Sequence, residues 1–528
     1  MSEEFENQKI PRTMATQHPD NVNVPEWCNG EVIDGDAEIY EAFFAYSSLG
    51  CQEVMWDSEG KDVDIRVVRK LLNRNMAFFR DHTLGEKIFL TYRIPNPKLE
   101  VVERKIVVET LQNITVAYDV ASSFYKREVA PIFEVILPLT TDSKELLLLH
   151  NYYKKSIAAD GEIMLDESTK VADWVGSFKP KSINVIPLVE DFDSLLTIDR
   201  IVKPYLRAVK PRRFRVFIAR SDPALNYGLV CAALLSKIAL SKLRTVAQEL
   251  DVKINPIIGV GSKPFRGHLS PDNLENFLQE YRGLVTVTIQ SALRYDYPAA
   301  QVKECVKSLN EKLPNGEAAV LEPHEEEILH GMLQKFRRQY ESTIEALAPL
   351  VNSVAAYVPP RRARKLHIGL FGYSRCVAGV CLPRAITFSA ALYSIGLPPE
   401  FIGMKTLTLL SDKEWALLKK YYVKLTHDLG FVGVYVSWEN VNMLMDMLEK
   451  TAERAGMNAE QLRTALAKVM EDLQGVEETL GVKLGPRTLS QRKHENFTNN
   501  FLISYLERED KEAKKALLEA AKLRCCLG

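Results

Sequence analysis

Residues 183–191 read INVIPLVED and residues 215–222 read RVFIARSD. Each is a short run rich in Val, Ile or Phe that stops at a carboxylate, Glu190 in the first and Asp222 in the second. Such a run, bounded by polar residues, predicts a strand buried on both faces. Charge at the C-terminal edge of such a strand falls where a parallel barrel keeps its chemistry. Two carboxylates from neighbouring strand ends suit one hard divalent cation, and that cation suits phosphate or enolate oxygens.

Outward from these two, similar apolar runs occupy 53–56, 88–92, 132–137, 254–260, 284–289 and 368–371. Helical patterns separate most of them. Over 64–79, Ile65, Val68, Leu71, Leu72 and Met76 recur near a 3.6-residue period, and 227–250 repeats the pattern with Leu234, Leu235, Ile238 and Leu243. Eight β-then-α alternations predict the α/β class and a (β/α)8 TIM-type barrel with large added helical segments. The rival is a doubly wound open sheet. No GxGxxG follows any run, so a dinucleotide-binding sheet has no support.

Three regions are expected. Residues 1–50 form an N-terminal segment whose loop, 11–21 (PRTMATQHPDN), is punctuated by Pro and Asn. Residues 51–395 form the barrel, with a helical insertion at about 300–365 that includes 324–350. Residues 396–528 form a helical region, with helices over 413–425, 440–455, 459–480 and 507–522. Interleaved acids and bases there predict solvated faces, and the helices are expected to make subunit contacts or cover the barrel mouth.

The chain has 528 residues, with 68 basic and 69 acidic side chains and a net charge of −1. No overall field favours nucleic acid or a membrane surface. No stretch is apolar enough to span a bilayer. The polar start, MSEEFENQKI, lacks the pattern of a signal peptide. The eight cysteines are scattered without zinc spacing, and buried free thiols in a cytoplasmic protein are expected.

The ends of the runs carry the chemistry. Arg93 closes one, Glu190 the next, then Arg220 and Asp222. Residues 259–269 (GVGSKPFRGHL) follow another, then Gln290 and Arg294, then Arg375. One edge therefore collects acids, arginines and close-approaching glycine backbone. Acids with a divalent cation, facing arginines, suit an anion bearing phosphate or carboxylate. Each residue also has a plainer reading. Glu190 and Asp222 can pair with the arginines as a structural network, and the glycines can serve turns. Arg361, Arg362, Arg364 and Lys365, after two prolines, read first as a solvated basic loop. His18 and His268 read first as surface histidines, although an imidazole titrates where a proton shuttle must.

Four segments together resemble the short, archaeal-type phosphoenolpyruvate carboxylases: 13–21 (TMATQHPDN), 186–195 (IPLVEDFDSL), 260–269 (VGSKPFRGHL) and 369–375 (GLFGYSR). The resemblance extends over nearly the whole chain and to the larger bacterial and plant enzymes. It implies His18 as the catalytic histidine and Glu190 with Asp222 as ligands of Mg2+ or Mn2+. It also implies Arg93, Arg266 and Arg375 as catalytic arginines, with Lys263, Gln290 and Arg294 binding substrate. Phosphoenolpyruvate and bicarbonate would be the substrates, oxaloacetate and phosphate the products, and a homotetramer the assembly. Two departures stand out. Leu225 occupies the place of a lysine in the larger enzymes, and Arg266 is the lone arginine of the glycine-rich loop, with Lys263 near it. Residues 524–528 (RCCLG) also differ from the RNTG of those enzymes, which sets inhibition by aspartate or malate apart.

Two other classes remain open from sequence. One is another divalent-metal barrel lyase or aldolase acting through an enolate. The other is a non-enzymatic barrel scaffold that binds an anion or a partner.

Overall fold

The computed structural model describes residues 8–372, 376–377 and 379–528. Eight parallel strands close into a barrel. They are β1 (Thr13–Ala15), β2 (Glu53–Asp57), β3 (Phe89–Arg93), β4 (Glu134–Leu137), β5 (Asn184–Val189), β6 (Arg213–Ala219), β7 (Lys253–Gly259) and β8 (Thr286–Ile289). Seven of these coincide with the apolar runs of the sequence.

The eighth expectation is corrected. Residues 366–371 form turns, held by amides of Ile368 and Gly369 donating to Lys365 O at 3.0 Å each. The remaining strand is Thr13–Ala15, inside the segment expected to be a loop. Three residues carry no readable periodicity. They are a strand because both neighbours hydrogen-bond to them, in the registers Met14↔Glu53 and Thr13↔Val287. The barrel therefore starts near residue 13 and not at 51, and its last strand ends at Ile289. The helices Ala299–Lys312 and Pro323–Ala355 follow the last strand and do not interrupt the barrel.

The period of two along each strand sorts the barrel interior into layers. At the base, Arg215 of β6 donates to Glu53 of β2 (Nη2 to Oε2, 2.7 Å), Glu134 of β4 (Nη1 to Oε2, 2.8 Å) and Thr286 of β8 (3.4 Å). Alternate strands supply this layer, as barrel packing requires. Arg215 is 1 % exposed, and these partners offset its desolvation. Above it lies an apolar layer of Met14, Met55, Ile136, Ile186, Leu188, Phe217, Ala219 and Ile257. Continuing the same parity, Asp57, Arg93, Glu190 and Gln290 come next, at the C-terminal rim.

Beyond the barrel the chain is helical. The expected helix over 64–79 divides at Asn75, where φ is −133°, into Val67–Arg74 and Met76–Asp81. A helix not foreseen, Leu489–Leu506, starts at a capping box between Thr488 and Gln491 and packs against Asp510–Arg524. Its sequence mixes polar and apolar residues without a clean stripe. The last residues turn back to the barrel mouth, where Leu527 N donates to Asp20 O at 2.8 Å. Among the described residues no helix is long and apolar enough to cross a membrane.

Candidate active site

A cavity of about 450 Å³ opens at the C-terminal rim of the strands. Among its acids are Glu59 beyond β2, Glu190 at the end of β5, and Asp222 in the first turn of the helix Ser221–Tyr227. Glu190 accepts a hydrogen bond from Leu139 N at 2.8 Å. Burial, then the charges of Asp222 and Glu59, push its carboxyl up to about 8, while Arg93 pulls the other way. Carboxylates crowded in this way repel one another, and a dication relieves the repulsion. The donor set is all hard oxygen, which fits Mg2+ or Mn2+.

The opposing charge is held just as firmly. Arg93 binds Asp57 through two parallel hydrogen bonds, Nε to Oδ1 at 2.8 Å and Nη2 to Oδ2 at 2.5 Å, and lies 3.2 Å from Glu59. That fork fixes its plane beside the cavity. Arg266 is 1 % exposed and makes contacts in four directions. It donates to Ser221 Oγ (3.1 Å), Asp20 Oδ2 (3.1 Å), Gly528 O (2.6 Å) and Gln290 Oε1. Its short helical turn ends at Gly267, whose φ of +112° favours glycine, and a Cβ there would lie 2.4 Å from Val260 Cγ1.

His18 lies between these groups. Its Nδ1 is 2.8 Å from Thr16 Oγ1. Burial, then Arg93, Arg266 and Arg364, hold its pKa well below the ordinary 6.5, against the opposing pull of Asp57. The imidazole is therefore neutral near pH 7. In the tautomer whose Nδ1–H donates to Thr16, Nε2 keeps the lone pair that a base needs.

His18, Arg93, Arg266, Glu190 and Asp222 thus line one cavity. Three expected substrate ligands do not line it. Lys263 is buried with its Nζ 4.8 Å from the Phe431 ring centre and 5.4 Å from that of Tyr435, so it faces the C-terminal helices. Gln290 is a buried acceptor for Arg266. Arg294 donates to Thr16 O (2.6 Å) and Glu41 (3.0 Å), which supports the chain just before His18. Arg375 lies outside the described residues. Arg220 fixes the glycine-rich loop through Tyr281 Oη (2.8 Å) and Pro264 O (3.3 Å).

Glu59, Lys98, Arg337, Glu341, Arg364 and Arg384 also line the cavity and were not singled out as site residues from the sequence. Arg337 and Glu341 sit one turn apart on Pro323–Ala355 and pair at 2.7 Å, so the added helix walls the site. Apart from the cavity, His268, His427 and Asp428 form a second cluster of potential ligands. There His268 Nδ1 is 2.6 Å from Asp428 Oδ1, an internal hydrogen bond between the glycine-rich loop and the helix Leu425–Gly433.

The family model for phosphoenolpyruvate carboxylase matches residues 10–528. The chain belongs to the phosphoenolpyruvate carboxylase family. Relatives bearing that name include those of Caldivirga maquilingensis, 47 % identical over 98 % of this chain and 99 % of the relative, and Metallosphaera sedula, 46 % identical with the same coverage. That of Picrophilus torridus is 44 % identical, again over 98 % and 99 %.

In this member of the phosphoenolpyruvate carboxylase family, the segment 13–21 does more than present His18. Asp20 accepts from Arg266 Nη1 with one oxygen and from Ala292 N (2.7 Å) with the other. It therefore ties the histidine loop to the glycine-rich loop. No spacing in the sequence marks Asp20, because its partners lie more than 240 residues away.

Proposed function

We propose that the cavity carries out the reaction of phosphoenolpyruvate with bicarbonate to give oxaloacetate and phosphate. A neutral His18 facing arginines and a carboxylate cluster in one cavity is the observation that carries this reading. A divalent cation held by Glu190 and Asp222, Mg2+ or Mn2+, would supply positive charge for the phosphate and enolate oxygens.

The residues of the chain do the rest. Arg93 and Arg266, fixed by their own hydrogen bonds, neutralise the phosphate and carboxylate groups without reorganising. A bicarbonate oxygen attacks phosphorus, and the bond from phosphorus to the enol oxygen breaks. This leaves carboxyphosphate and the enolate of pyruvate. His18 Nε2 takes the proton of carboxyphosphate, whose carbon–oxygen bond then breaks to give CO2 and phosphate. The enolate carbon attacks CO2 to form oxaloacetate. Water must stay out meanwhile, since it would protonate the enolate to pyruvate.

The test is oxaloacetate formation coupled to malate dehydrogenase, with bicarbonate and Mg2+ each left out in turn. The reading requires both omissions to stop turnover. Release of phosphate or pyruvate at the full rate without bicarbonate would instead favour another enolate lyase. The same reading makes the protein a cytoplasmic homotetramer. Exposed Ile163, Met164, Leu165 and Trp174 give such an assembly apolar surface to bury, and sedimentation measures its size.

A further inference from the structure

Residues 361–365 (RRARK) cross the rim of the barrel beside β1 and β2, contrary to the solvated loop that the sequence predicts. Three of the four basic side chains are committed to the protein itself. Arg361 donates to Asn21 O (3.2 Å) and Val22 O (2.8 Å). Arg362 pairs with Glu41 and lies 3.6 Å from Glu38. Lys365 pairs with Glu103, and its amide donates to Gly60 O at 3.1 Å. The backbone is therefore pinned on both sides of position 364.

Arg364 is different. Its Nη1 is buried without an acceptor among the described residues, as are Nε and Nη1 of Arg362, but of the four basic residues Arg364 alone lines the active-site cavity. A guanidinium nitrogen taken from water without a partner is costly, so such an atom marks a place for a ligand acceptor. Burial lowers the pKa of Arg364, with Arg93 and Arg362 acting in the same direction and Asp57 and Glu59 opposing, and an arriving anion would offset the burial further. The position of the group narrows the choice of anion. Arg361 is tied to Asn21 and Val22, just after His18, and Lys365 to Gly60, just after β2, whereas Glu190 and Asp222 follow β5 and β6 on the other side of the barrel. Arg364 thus belongs to the histidine side of the cavity, where the planar carboxylate-type reactant must sit for His18 to take its proton.

We propose that Arg364 binds bicarbonate, and the carboxyl end of the carboxyphosphate formed from it, through Nη1. This rests on the assignment of His18 as the base. A planar fork facing a planar three-oxygen anion also explains why arginine is used here, since lysine offers only a point charge.

The experiment is steady-state kinetics of wild type, R364Q and R364K on the full chain, varying bicarbonate and phosphoenolpyruvate separately, with H18N in parallel. The KM for bicarbonate is expected to rise about tenfold or more in R364Q, with that for phosphoenolpyruvate nearly unchanged. R364K is expected to fall between R364Q and wild type, and it carries the test if R364Q does not fold. An unchanged KM for bicarbonate, or a rise for phosphoenolpyruvate alone or for both equally, would overturn the proposal. H18N that keeps making oxaloacetate at the wild-type rate would overturn the histidine assignment instead. Wild type indifferent to bicarbonate would overturn the carboxylase reading itself, so the three failures are distinct.

Discussion

At the residue scale, His18 is tuned by what surrounds it. Its conjugate acid is destabilised by burial and by three guanidinium groups, so it protonates only well below pH 6.5. The sign follows directly. Above its lowered pKa the ring is neutral and can accept a proton. As pH falls through that value it gains one and the second half-reaction stops. The acid limb of kcat/KM is therefore expected below pH 6.5, and Arg93→Gln, which removes one of the opposing charges, is expected to shift that limb upward. A pH–rate profile with its acid limb near 7 in wild type would contradict the account. His18→Asn is expected to keep releasing phosphate while forming pyruvate in place of oxaloacetate. Equal loss of both products' formation, measured with lactate and malate dehydrogenase as alternative coupling enzymes, would count against the role of His18 as base.

At the scale of elements, the barrel shows which parts of a fold are legible in a sequence. β5 and β6 are continuous apolar runs buried on both faces, so residues 183–191 and 215–222 reveal them at once. Thr13–Ala15 is a strand only through its neighbours, and no local pattern exists to be read. The run 368–371 is apolar for a different reason: Ile368 is buried, 3 % exposed, in a turn. The candidate site divides in the same way. Arg93, Glu190 and Asp222 were found because the strands they end or follow were found, whereas His18 follows a strand with no readable pattern and was reached through the family resemblance. Arg337, Glu341, Arg364 and Arg384 come from helices and crossings after the last strand, and only the folded chain brings them to the rim. Two predictions belong here. Arg215→Leu leaves Glu53 and Glu134 buried without their partner, and urea denaturation is expected to show a loss of about 3–5 kcal/mol. Unchanged stability would mean the base layer is not ionised as described. Gly267→Ala puts a Cβ into Val260 and strains a left-handed position, so the KM for phosphoenolpyruvate is expected to rise through a displaced Arg266. Wild-type kinetics in that variant would show that the loop conformation does not set the site.

At the scale of the whole molecule, the helices after the barrel are part of the site. The helix Pro323–Ala355 supplies a wall, and residues 524–528 fold back so that Gly528 O accepts from Arg266 while Leu527 N donates to Asp20 O. Arg524 secures this turn through Leu527 O at 2.7 Å. A Cβ at Gly528 would meet Ala390 N and Ile386 O, each at 2.4 Å. Gly528→Ala is therefore expected to raise the KM for phosphoenolpyruvate with little change in melting temperature. A variant with unaltered KM would separate the C-terminal helices from catalysis.

The central claim is that Glu190 and Asp222 together hold a divalent cation at the rim of the barrel. Mn2+ binding followed by electron paramagnetic resonance tests it most directly, in wild type, Asp222→Asn and His268→Gln. Wild type is expected to bind the ion more tightly as pH rises toward 8, because the proton on Glu190 competes with the metal. Asp222→Asn is expected to weaken binding by more than the about 10- to 100-fold that loss of a supporting residue costs, and His268→Gln to leave it unchanged. Undiminished Mn2+ affinity in Asp222→Asn, or its loss in His268→Gln, would contradict the claim.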